Sequence, residues 1–184
     1  METLRRVNPA TIFKGLRLDS EFKKVSIPSQ RTIANINLML EYLETQKFLT
    51  TSEYNALKAE CLGLRAWMHF DLIRLWGPIP TRVNATKKYI PYVTKLSYSR
   101  NAAITYDEFM TLLQNDMNTA EQFFSDKPEF TEYRLGKWGV LALQARINLW
   151  IGKKEKALEY ANTIIDFVNN DADETFKFGT LDNI

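Results

Sequence analysis

The chain holds one cysteine and one histidine in 184 residues. A lone Cys61 cannot close an internal disulfide, so it says nothing of redox compartment. With His69 as the only imidazole, there are too few soft ligands for a zinc or other transition-metal site, and no metal or cofactor is expected. Glycine (7) and proline (6) are also scarce, which disfavours a sheet protein with many tight turns. No apolar run approaches the roughly 18 residues of a membrane span. The first residues, Met1–Arg6, lack the apolar core of a signal peptide. Neither sign of charge dominates: 24 Lys and Arg stand against 22 Asp and Glu. The formal charge of +2 is too small to make nucleic acid the main partner.

What is present is apolar spacing at three and four. Hydrophobic residues make up 45% of the chain and aromatics 12%. That suffices for one sizeable helical domain, 1–184, or for a piece of a larger protein. The clearest segment ends at Gly77-Pro78-Ile79-Pro80. Leu57, Cys61, Leu64, Met68, Leu72 and Leu75 form one stripe along it. Ala59, Leu62, Ala66, Phe70 and Ile73 form another, on the opposite side at about 100° per residue. Thin polar strips lie between, with Lys58, Arg65 and His69 on one and Glu60, Asp71 and Arg74 on the other. A helix with two apolar stripes is sandwiched between layers, as in stacked helix pairs.

Start signals recur along the chain. Thr50 to Glu53 and Thr105 to Glu108 both have capping-box spacing. Ser29 is a cap candidate for a helix reaching about Glu44, with Ile33, Ile36, Asn37, Leu40 and Leu43 on one face. A short helix is also expected around Ala10–Phe22. The third helix carries Phe109, Leu112, Leu113, Asp116, Ala120 and Phe123. A fourth starts near Tyr133-Arg134, again with two stripes: Trp138, Ala142, Ala145 and Leu149, then Val140, Leu143, Ile147 and Trp150. Trp138, Ala145 and the Gly152 turn are expected in a buried helix–helix contact. A fifth helix, Lys153–Val168, turns Ala157, Ala161, Ile164 and Ile165 inward. The pair Leu141–Ile165 resembles a tetratricopeptide unit, with Gln144 where Leu is usual. The expected fold is all-α: stacked antiparallel helix pairs in a tetratricopeptide-like superhelix. One long irregular loop, 77–104, interrupts it.

Three segments in order carry a family resemblance. The first is Leu64-Arg65-Ala66, Phe70-Asp71-Leu72, Arg74-Leu75-Trp76-Gly77 and Pro80. The second is Tyr106, Phe109, Asp116, Met117 and Ala120. The third is the fourth helix with Gly152 and Ala157. Together they resemble the SusD-like (RagB/SusD) glycan-binding lipoproteins. Leu62-Gly63 stands where that pattern usually has Phe, and Pro78 where it has Asp. The resemblance implies a non-enzymatic protein that captures oligosaccharide at the outer-membrane surface. It also implies a TonB-dependent, SusC-like transporter as partner. Members of that family are longer and begin with a signal peptide and a lipidated Cys. A truncated product, or an excised piece, is therefore expected, with Phe176–Thr180 as the start of a further segment. The rival expectation is an intracellular tetratricopeptide scaffold that binds peptides.

No catalytic constellation is expected. Asp107, Glu108 and Glu53 fit capping, and Glu60 fits a solvated strip. No Gly-rich phosphate loop follows a strand. Arg65, partly buried between layers, needs a carboxylate or several carbonyls. Cys61, on an apolar stripe, reads as a core residue. The candidate ligand-binding residues are in the long loop: Tyr89, Tyr92, Tyr98 and Arg100. An exposed aromatic face stacks on the C–H face of a sugar while neighbouring polar groups bond its hydroxyls. The competing reading is that these tyrosines cover the helices beneath.

Overall fold

The computed structural model of the chain describes residues 28–97, 99–124 and 134–170. The helix expected around Ala10–Phe22 and the segment expected at Phe176–Thr180 lie outside these. Among the described residues there are five helices and no strand. They are residues 28–43 (α1), Thr51–Trp76 (α2), Tyr106–Phe123 (α3), Lys137–Trp150 (α4) and Lys154–Asn170 (α5). The all-α expectation stands. The connections α1–α2 and α4–α5 are short, which makes each pair an antiparallel hairpin.

Capping sets two helix starts. The Thr50 side chain accepts from the Glu53 N–H while Glu53 accepts from the Thr50 N–H, and Thr105 with Glu108 does the same. Each box satisfies two otherwise unpaired backbone donors. Hydrogen bonds from Thr50 and Thr105 hold both glutamates below the usual carboxylate range. α4 begins at Lys137, slightly later than the Tyr133-Arg134 signal suggests. Gly136 is an extended N-cap (φ −91°, ψ −175°), and Arg134 reaches sideways to Glu60 on α2 instead of entering the helix.

α2 is the central layer. On one side Cys61 packs with Ile36 and Leu43 of α1. On the other, Leu62, Ala66, Phe70 and Ile73 meet Phe109, Leu113 and Met117 of α3 and Val140 and Ile147 of α4. The two-stripe expectation holds except at Leu75 near the helix end, which is 45% exposed, and with one further correction. The strip that carries Arg65 and His69 is no polar margin, because both side chains are buried, at 7% and 0% exposed. Their polar atoms are satisfied inside the core, as described below.

The far side of α4 departs from expectation. Val140, Leu143 and Ile147 are buried as expected, but Ala142 is exposed, Ala145 half-buried and Leu149 62% exposed. Gln144 is fully buried instead. Its amide accepts from Gln114 at 2.7 Å and donates to Asn118 at 3.1 Å, both on α3. Trp138 does meet α5, stacking on Phe167 at 3.9 Å between ring centroids. On α5 only Ala157 is buried, and Ile165 is 40% exposed. A second stripe on a terminal hairpin has no third layer to face among the described residues.

Two glycines are dictated by geometry. Gly152 has φ +83°, a left-handed conformation that costs other residues about 1 kcal/mol or more. Gly77 ends α2, its N–H donating to the Ile73 carbonyl at 2.8 Å. A Cβ there would lie 2.5 Å from that carbonyl oxygen. Gly77→Ala should therefore destabilise by about 1–3 kcal/mol through overpacking. A thermal midpoint within a degree of the parent chain would show that the turn relaxes freely.

Candidate functional site

The connection from α2 to α3 has little regular structure in which to pair its backbone. It contains one 3-10 turn, Pro80–Arg82, and a neck where Tyr89 N–H donates to Ile104 O at 2.9 Å. Its remaining polar groups need other partners. A seam of buried side chains from three helices supplies them.

Arg65 on α2 makes a two-pronged pair with Asp116 on α3: Nε to Oδ2 at 2.7 Å and Nη2 to Oδ1 at 2.6 Å. Arg65 Nη1 also donates to Asn37 Oδ1 on α1 at 2.9 Å and to the Thr94 carbonyl at 3.4 Å. Asn37 Nδ2 donates to the Val93 carbonyl at 3.0 Å. The Tyr92 hydroxyl donates to Asp116 Oδ2 at 2.5 Å. Val93 N–H donates to His69 Nε2 at 2.9 Å, so that nitrogen carries no proton. His69 Nδ1–H then donates to the Arg65 carbonyl at 2.8 Å. The rings of His69 and Tyr92 stack at 3.8 Å. Three successive loop residues, Tyr92, Val93 and Thr94, are thus tied to α1, α2 and α3 together.

The charges in this seam are fixed by burial and by one another. Burial drives the His69 pKa down to about 4, which keeps the ring neutral at ordinary pH. Burial works against the Arg65 charge too, but the Asp116 carboxylate outweighs it and Arg65 stays protonated. Burial, with the Asp116 charge beside it, raises Tyr92 well above the usual phenol value. The expectation that Arg65 needs a carboxylate or several carbonyls is met by Asp116, with the Thr94 carbonyl beside it. The expectation that the Tyr92 ring is an exposed platform is corrected. It is 8% exposed and part of the core, because its hydroxyl is needed by Asp116 and its face by His69.

Held in this way, the loop walls a groove of about 880 Å³ against the helices. On the helix side the lining includes Ile33 and Gln30 of α1 and Leu72 and Trp76 of α2. On the loop side it includes Tyr89, Lys95, Ser97, Arg100 and Asn101. Both walls mix the two kinds, Ile33 and Leu72 with Gln30 on the helices and Ile90 and Leu96 with Lys95 on the loop, which makes an amphiphilic trough. Such a trough suits a ligand with C–H faces and hydroxyl edges.

Tyr89 and Arg100, both expected from sequence, meet here. Tyr89 is half-buried against the main core, and its hydroxyl accepts the Asn84 N–H at 3.0 Å. The Lys87 ammonium sits 5.3 Å from its ring centroid, so part of one ring face is already taken. Arg100 is exposed. Tyr98 lies outside the described residues. Sequence reasoning missed Gln30, Trp76 and Lys95. Their helical or loop neighbours gave no sign that α1 and the end of α2 would border the loop. Among the described residues no group of His, Cys, Asp or Glu gathers that could hold a metal ion.

Comparisons with known proteins bear on the same residues. The SusD-like family described as starch-binding and associating with the outer membrane matches residues 26–149. A putative sugar binding protein from Bacteroides vulgatus superposes with a TM-score of 0.69 at 26% identity, covering 78% of this chain. A SusD superfamily protein from Bacteroides thetaiotaomicron gives 0.69 at 23% identity over 82% of this chain. NanU from B. fragilis gives 0.62 at 22% identity over 79%. The chain spans about a third or less of those proteins, at 33%, 32% and 28% of their lengths. Comparison with curated proteins finds no match.

Proposed function

The chain belongs to the SusD-like family, and on that premise we propose that it serves in capturing oligosaccharide at the outer-membrane surface. In this reading it is a binding protein and not an enzyme. A TonB-dependent, SusC-like transporter is its partner, and 1–184 is one helical domain of a longer, lipid-anchored assembly. The observation that carries the reading is positional. Every residue lining the groove falls within the matched span, 26–149. The family match favours this reading over the intracellular scaffold. A long connection pinned by a buried seam is unlike the short turns of simple tandem repeats.

Calorimetry of the full chain against soluble maltohexaose and other oligosaccharides tests this. Among the described lining residues the aromatics are the partly buried Tyr89 and Trp76, and stacking adds only about 1 kcal/mol per ring, so binding should be millimolar, near −4 kcal/mol. Tyr89→Ala should weaken it about fivefold. Absence of heat with every sugar, or binding that survives both Tyr89→Ala and Arg100→Ala, would remove the groove as the glycan site.

A further inference from the structure

The groove carries charge of one sign. Among its described lining residues the only formally charged side chains are Lys95 and Arg100, and no aspartate or glutamate is among them. Neither cation makes an ion pair among the described residues. His69, which also lines the groove, is neutral and adds nothing to the balance. The nearest carboxylate of the seam, Asp116, is consumed by Arg65 and Tyr92 and lies buried behind the loop. A site for a neutral sugar commonly pairs hydroxyls with carboxylates and amides, whose oxygens accept hydrogen bonds. Here the charged contributors are donors only. Lysine and arginine carry no acceptor, and both favour carboxylate or sulfate oxygens.

The loop geometry makes the placement meaningful. Lys95 follows directly on Thr94, whose carbonyl is bound by Arg65, and Val93, which is bound by both Asn37 and His69. Its backbone is therefore anchored within one residue of the buried seam. Arg100 lies nearer the other limb, which returns to the neck at Ile104. Two cations that make no ion pair among the described residues, on opposite limbs of one loop, thus line the same groove as the apolar Ile33 and Leu72.

We propose that the groove between the 89–103 loop and helices α1 and α2 selects acidic oligosaccharides, with Lys95 and Arg100 receiving carboxylate or sulfate groups. This rests on the glycan-binding reading and narrows it to a ligand class. Both cations are exposed, so each contributes modestly and the attraction is screened by salt. The expected preference for an acidic over a matched neutral sugar is about tenfold at low salt.

The test uses hexagalacturonate and its fully methyl-esterified form, which share a skeleton and differ in charge. Maltohexaose and a heparin-derived hexasaccharide serve as neutral and sulfated arms. Each is titrated into the full chain at low salt and at about 0.5 M NaCl, where screening acts within a few Å. Hexagalacturonate should bind about tenfold more tightly than its ester at low salt, and the gap should shrink at high salt. The double variant Lys95→Ala/Arg100→Ala, checked for unchanged helicity, should bring acid and ester within about twofold. Tighter binding of the heparin arm than of hexagalacturonate would assign the sites to sulfate. Equal binding of acid and ester, with maltohexaose also bound, would overturn the acidic preference and leave the glycan reading standing. Binding of none of the sugars would overturn both.

Discussion

Asp116→Ala should lower the unfolding free energy by about 3–5 kcal/mol. Among the described residues the carboxylate is the one charged partner of a buried guanidinium, at 2.7 and 2.6 Å, and it also accepts from Tyr92. Removing it leaves Arg65 charged and unpaired in the core, and leaves the Tyr92 hydroxyl without its acceptor. Domains of this size are stable by only about 5–15 kcal/mol, so the loss is a large fraction of the whole. Urea unfolding followed by circular dichroism gives the number. Asp116→Asn keeps an acceptor while losing the charge, and should cost less. The double change Arg65→Met/Asp116→Leu removes both charges and should recover much of the loss, since a buried pair is often worth little against an apolar replacement. A single Asp116→Ala within about 1 kcal/mol of the parent would mean the loop can open and hydrate Arg65 without penalty.

Acid should destabilise the chain well above the pH at which ordinary carboxylates titrate. His69 in the folded chain has its pKa lowered from 6.5 to about 4, chiefly by burial. Above about pH 6.5 neither the folded nor the unfolded chain binds the proton, and the full stability is present. Between pH 6.5 and about 4 the unfolded chain takes up a proton that the folded chain refuses, so stability falls as pH falls. Across that window the loss is about 3 kcal/mol from this one residue. Protonation at Nε2 would also turn the acceptor of Val93 N–H into a donor, breaking the tether that holds the loop. His69→Gln retains a donor and an acceptor but does not titrate, so its stability should change less over the same range. Parallel pH profiles for the two chains would show that His69 is not the group responsible.

Helix positions were legible because spacing alone encodes them. Thr50 with Glu53 and Thr105 with Glu108 mark starts locally, and Gly77-Pro78 marks a stop. The sandwiched state of α2 was legible for the same reason, since its two stripes need two neighbours. Contacts across long separations were not. Arg65 and Asp116 lie 51 residues apart, and no local pattern pairs them. Asp116 does carry a faint signal, a carboxylate set among Phe109, Leu113, Met117 and Ala120 on an apolar face. Tyr92 misled because loop tyrosines have no periodicity to declare burial. Its fate depended on His69 and Asp116 standing at the right depth in two different helices. The groove was half-legible. Tyr89 and Arg100 stood out by residue type, whereas Trp76 and Gln30 joined it only through the way the loop folds back.

Cys61 turns the α1–α2 seam into something that can be timed. It is the chain's one thiol, 3% exposed beside Ile36 and Leu43, with burial pushing its pKa up to about 11. A thiol reagent meets almost no thiolate in the closed form, so reaction waits on separation of α1 from α2. With excess reagent the labelling rate becomes a clock for that opening, while at low reagent it reports the fraction of time spent open. Because the Asn37–Arg65 contact crosses the same seam, loosening the loop would be heard in the chemistry of a sulfur atom about one helical turn from Arg65.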